Sequence, residues 1–119
     1  MIDIGQRACL HGGWPVVSLD EQLCAYFGSD QCFAGLKVLI ACDPYADTEI
    51  SVDDCANLIS HIDLIMPLVD RRELPAPPKT YSDDEEPFGW EGLGRFLLTL
   101  REICHRATSQ NKAIVAAGD

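Results

Sequence analysis

Leu36-Lys37-Val38-Leu39-Ile40-Ala41-Cys42 is the stretch on which the fold turns. It is an apolar run set between Gly35 and Asp43-Pro44. A run of this length between turn residues fits a buried strand, although periodicity alone does not separate it from a short helix. As a strand it predicts an α/β or α+β chain: a small sheet carrying two long amphipathic helices and one short helix. As a helix it leaves a mostly helical bundle.

Downstream, Ser51 is placed to cap a helix with Asp53 and Asp54 in its first turn, where the helix dipole favours anions. Val52, Cys55, Ile59, Ile62, Met66 and Val69 follow at alternating steps of three and four, which predicts an amphipathic helix over 52–69. Pro67 marks a kink or an end, with Arg71-Arg72 beyond it. From Leu74 to Gly89 runs a long connection stiffened by Pro75, Pro77, Pro78 and Pro87. A second helix is expected over 90–107, where Leu93, Phe96, Leu97, Leu100, Ile103, Cys104 and Ala107 share a face. Glu91–Arg95 and Glu102–Arg106 stand four apart with the acid first, the favourable order. Ala113 to Ala117 reads as a last strand, parallel to 36–42 if the two are neighbours.

Upstream, Ser18-Leu19-Asp20-Glu21 has the form of a capping box, and Leu19, Leu23, Tyr26 and Phe27 predict a short helix over 18–27 stopped by Gly28. Residues 1–17 read as irregular or short-strand structure. At 119 residues the chain is expected to be one domain, 1–119, with enough length to build a core without staples.

Charge is the most distinctive property. Nineteen acids oppose nine bases, a net charge of −10. Residues 1–60 hold nine acids against only Arg7 and Lys37. Such a chain repels phosphate backbones, which argues against direct nucleic-acid binding and for a basic protein partner. Much of the acid has ordinary work at helix starts and in helical pairs. Two groups do not: Asp43, Asp47 and Glu49 on one loop, and Asp83-Asp84-Glu85-Glu86 on the proline-rich connection. Tyr81, Phe88 and Trp90 flank the second group as candidate apolar anchors. Asp54 and His61, with Asn57 between them on the polar face of helix 52–69, form a secondary candidate; a solvent-facing histidine is the commoner outcome of that pattern.

Other chemistries find no motif. A calcium loop starting at Asp43 would place Tyr45 at its third position, Thr48 where glycine is needed and Asp54 where glutamate is needed. The six cysteines, at 9, 24, 32, 42, 55 and 104, form no Cys-x-x-Cys and fit reduced, mostly buried thiols. There is no Gly-x-Ser-x-Gly and no phosphate loop, so no cofactor and no metal are expected. Met1 to Arg7 lacks the form of a secretory signal, and the apolar stretch 58–69 is too short to span a bilayer; the chain reads as cytoplasmic and not membrane-bound.

In general character, over its whole length, the chain resembles bacterial toxin-immunity proteins, including those of contact-dependent inhibition systems. The resemblance implies a small protein without an active site that binds a toxin domain, such as a nuclease, and blocks it. It assigns a role to no individual residue. Two other readings stand beside it: a small enzyme with a site assembled from His11, His61, Asp54 and Cys42, and a self-associating regulatory adaptor.

Overall fold

The computed structural model describes residues 2–10, 12–43, 45–81 and 86–118, with the side chains of Thr80, Tyr81 and Glu86 left aside. Four strands, β1 (Ile2–Gly5), β2 (Val16–Leu19), β3 (Thr48–Ile50) and β6 (Ile114–Ala117), form a sheet in the order β2-β1-β6-β3. Every pairing in it is antiparallel. The helices are α1 (Glu21–Gly28), α2 (Lys37–Ile40), α3 (Val52–Asp70) and α4 (Gly89–Gln110). A separate two-stranded ribbon joins β4 (Thr80–Tyr81) to β5 (Glu86–Pro87). The architecture is α+β, as the composition of elements predicts.

The deciding stretch is helical. Asp30 caps it, its side chain accepting from the Cys32 amide at 2.9 Å. A 3₁₀ run over Gln31–Leu36 then passes directly into α2. Phe33, Leu36 and Leu39 are fully buried while Lys37 and Ala41 face solvent, a burial step of three that no strand produces. The strand expected over 36–42 is therefore corrected. Yet the bundle that a helix here would leave does not follow, because the sheet takes its strands from 2–5 and 16–19, within and at the end of the stretch read as irregular or short-strand, and from 48–50, read as loop. The expected parallel pairing falls with the same correction.

Local chemistry explains the other shifts. Ser18 lies in β2, where its hydroxyl donates to Asp3 Oδ1 at 2.6 Å; the cap of α1 is Asp20, which accepts from the Leu23 amide at 2.8 Å. Ser51 caps α3 as expected, accepting from the Asp54 amide at 3.1 Å. Pro67 stands on the exposed side of α3 and the helix runs three residues past it. It ends with Arg72 at φ 55°, the left-handed position usually filled by glycine, and the Glu73 amide closing on Leu68 O at 2.9 Å. Asn111, at φ 52°, ends α4 in the same way.

The inner face of the sheet carries Ile2, Ile4, Val17, Leu19, Ile50, Ile114 and Ala116, all buried. Helix α4 lies against β2, β1 and β6, α3 packs along α4, and the 3₁₀ run Gln31–Leu36 covers α3. Asp63 and Arg101 clamp α3 to α4 with two hydrogen bonds of 2.8 and 3.3 Å. Phe33 closes the far side: its ring centroid lies 4.9 Å from Tyr26 and 5.3 Å from Phe27, which in turn reaches Phe96 at 5.7 Å. The Tyr26 hydroxyl donates to Pro75 O at 2.7 Å, tying α1 to the proline-rich connection.

Candidate partner-binding surface

The acidic loop before β3 has a defined shape. The Asp43 carboxylate accepts from the Tyr45 amide at 2.8 Å, and the Asp43 amide reaches Thr48 Oγ1 at 3.3 Å. Such a turn fixes the backbone through its own side chain. Gly118 seats the loop: a Cβ there would lie 2.6 Å from the Ala46 nitrogen, so only glycine lets the backbone after β6 come this close. Asp43, Asp47 and Glu49 are exposed, Glu49 from β3 itself, and Asp53 continues the exposed series at the start of α3. None of these four has an ion-pair partner among the described residues, whereas Glu73, Glu91, Asp63 and Glu102 each hold an arginine within 3.5 Å. In their midst Tyr45 is 82% exposed. Sequence reasoning weighed Tyr45 only as a failed calcium ligand; an aromatic residue inside an unpaired acidic run was the signal.

The second acidic group is less fully placed. Asp83, Asp84 and Glu85 lie outside the described residues, as do the side chains of Tyr81 and Glu86. The backbone at the root of the ribbon is fixed by Phe88 N–H to Lys79 O at 2.9 Å and Gly89 N–H to Pro78 O at 2.8 Å. Phe88 and Trp90 are half-buried and pack on the protein's own core; a Cβ at Gly92 would lie 2.6 Å from the Phe88 ring. Both rings are thus partly spent as structural contacts rather than free anchors. Pro87 and Phe88 share a cleft with Trp14 and Val16–Ser18 at the β2 edge of the sheet. The 43–49 loop leads into β3, the opposite edge. Three strand spacings, about 14 Å, separate those edges.

The secondary pair does not assemble. Asp54 and His61 are two turns apart on α3, about 10 Å along its axis. His61 turns away from solvent and toward the 3₁₀ run, where a Cβ added at Gly35 would overlap its Cγ and Nδ1. Its Nε2 is buried without a partner among the described residues. Burial lowers the His61 pKa, against a smaller opposing pull from the Cys32 main chain. The solvent-facing expectation is corrected: the helix face that reads as polar is covered by a segment whose glycine makes room for the ring. The other members of the dispersed set do no better. Cys42 is buried, its thiol donating to Val38 O at 3.3 Å with its pKa raised by burial, and His11 lies outside the described residues.

The described cysteines carry no disulfide. Cys55 and Cys104 meet in the α3–α4 core, and the Cys104 pKa is raised by its hydrogen bond to Cys55 and then by burial. Burial and the Asp30 carboxylate push Cys32 up to about 11. Thiols shifted upward in this way, Cys104 and Cys32, stay protonated, whereas the same hydrogen bond lowers the pKa of Cys55. Among the described residues no three His, Cys, Asp or Glu side chains converge as metal ligands do, and no helix is long and apolar enough to cross a membrane.

His61 gives a signed pH prediction. The fold favours the neutral ring, so the unfolded chain takes a proton first, near 6.5. The stability that neutral His61 contributes is full above that value and is lost as pH falls through the lower folded value. Urea midpoints at about pH 7.5 and pH 5 should therefore fall further for the wild type than for His61→Gln. Equal drops would assign the acid sensitivity to other groups. No protein-family model matches the chain, and no curated protein or solved structure matches it.

Proposed function

We propose that this protein binds and neutralises a basic partner, and more narrowly that it is an immunity protein blocking a bacterial toxin domain. The observation that carries the reading is the exposed Tyr45 set among Asp43, Asp47, Glu49 and Asp53, on a loop held by its own turn and by Gly118. Unpaired carboxylates steer a cationic protein into encounter, and an aromatic side chain supplies the apolar contact that steering lacks. A pre-shaped loop loses little conformational freedom on binding. The Asp83–Glu86 run adds negative charge to the same chain, and a standard interface of about 800 Å² per partner has room for more than one acidic group.

The test is capture of the partner from the native cell, followed by binding kinetics of loop variants. A basic protein should form a 1:1 complex. Asp43→Asn, Asp47→Asn and Glu49→Gln together should slow association and flatten its salt dependence, while Tyr45→Ala should speed dissociation by about 30-fold, the equivalent of about 2 kcal/mol. Recovery of no basic protein, or an unchanged salt slope and dissociation rate in these variants and in the Asp83–Glu86 amide variant, overturns the reading.

A further inference from the structure

The geometry points to a binding pocket for a small organic phosphate at the end of the sheet where β1 leaves it and β6 enters it. Two chain crossings build it. The chain leaves β1 through Gln6, Arg7 and Ala8, and beside it α4 ends and passes through Lys112 and Ala113 into β6. Gly5 and Val115 are the last paired residues between the two strands, so both crossings begin at the same level. Together with Gln110 they line an open surface cavity of about 620 Å³. Ligand pockets fall in the range of about 300–1,000 Å³.

Its chemistry is opposite to that of the molecule as a whole. The chain carries a net charge of −10, yet the wall of this cavity holds two bases and no acid. Arg71, Arg95, Arg101 and Arg106 each have a carboxylate within 3.5 Å. Arg7 and Lys112, both exposed, have none among the described residues. Lys112 also complements the negative end of α4, but that duty does not explain Arg7, which comes from a different element. Two of the last α4 carbonyls are already engaged: Ala107 O accepts from Lys112 N–H at 3.0 Å and Thr108 O from Asn111 N–H at 3.4 Å. One wall is braced by Gln6 Nε2 donating to Gln110 Oε1 at 2.8 Å, and an amide pair joined by one bond keeps donors to spare.

Two separate cations suit a dianion better than a monoanion. A phosphate monoester carries about −1.5 to −2 charges at pH 7, and its oxygens match the guanidinium fork of Arg7 with Lys112 as the second point charge. Ala8 and Ala113 supply the apolar lining against which the organic part of the ligand rests. The site is independent of the protein-binding reading, since none of its residues belongs to either acidic segment.

Titration of the full chain with phenyl phosphate, followed by amide NMR shifts at low salt, tests the assignment. Shifts should concentrate at residues 6–8 and 110–113. Arg7→Gln and Lys112→Gln should each weaken binding about 10-fold, the effect of one charge-assisted hydrogen bond, while Lys37→Gln, an exposed base elsewhere, should not. Inorganic phosphate should bind more weakly at the same residues. Absence of localised shifts at about 10 mM phenyl phosphate overturns the proposal. So does equal weakening by Lys37→Gln, which would reduce the effect to diffuse attraction. Both bases are exposed, so the variants should keep the wild-type circular dichroism spectrum, and a variant that loses it is replaced by Arg7→Lys, which should retain part of the affinity.

Discussion

Phe33→Ala is expected to cost about 3–5 kcal/mol of folding stability, read as a lower urea midpoint with an unchanged slope. Phe33 is fully buried and joins Tyr26 and Phe27 in one aromatic cluster. Its removal leaves a cavity between α1 and α3 that neighbouring 3₁₀ and α-helical backbone is too constrained to fill. Domains of this size hold only about 5–15 kcal/mol in total, so the variant should be partly unfolded at 37 °C. A companion series separates helix from strand in the decisive segment. In a strand, residues 36, 38 and 40 share a face; here Leu36 and Leu39 are buried, while Val38 and Ile40 are half-buried. Leu39→Ala should therefore cost about 2–5 kcal/mol, and Val38→Ala clearly less. A larger loss at Val38 would contradict the helical assignment.

The second large effect is expected at Gly35. A Cβ there overlaps the His61 ring, so Gly35→Ala should destabilise by about 1–3 kcal/mol although alanine is the better helix former. The mechanism is tested by a double-mutant cycle. In a His61→Ala background the same change should cost little or stabilise, because the obstruction is gone and the propensity gain of up to about 1 kcal/mol remains. A cost that persists without the imidazole would place the strain in the backbone instead. This contact also explains why His61 is half-buried on a face that the helical wheel assigns to solvent.

What was legible in the sequence was local and periodic. The stripe from Val52 to Val69 and the one from Leu93 to Ala107 became α3 and α4, and the pairs Glu91–Arg95 and Glu102–Arg106 formed at 3.5 and 3.0 Å. The last strand was also legible, as Ile114–Ala117. Of the sheet around it, only short-strand structure somewhere within 1–17 was legible. Its other strands are three or four residues long, and their pairing depends on partners distant in sequence. Ile2-Asp3-Ile4-Gly5 alternates too briefly to stand out, and Asp3 looks like a surface acid until Ser18 is placed opposite it. The 36–42 run misled because apolar density over seven residues carries no period; the usable clue lay upstream, in Asp30 as a cap. At the candidate surface the acids of 43–49 were legible from charge alone, but not the exposure of Tyr45.

The centre of the sheet joins β1 to β6, residues 2–5 to residues 114–117. Closing that pair draws together positions more than a hundred residues apart, among the largest loops the chain can form. On a ribosome, β1 and β2 can meet early as a hairpin, but β3 has nothing to pair with until the last strand emerges. Helices α3 and α4 must then wait as a framework with one flank uncovered, and the whole molecule should gain its protection from proteases in one late step.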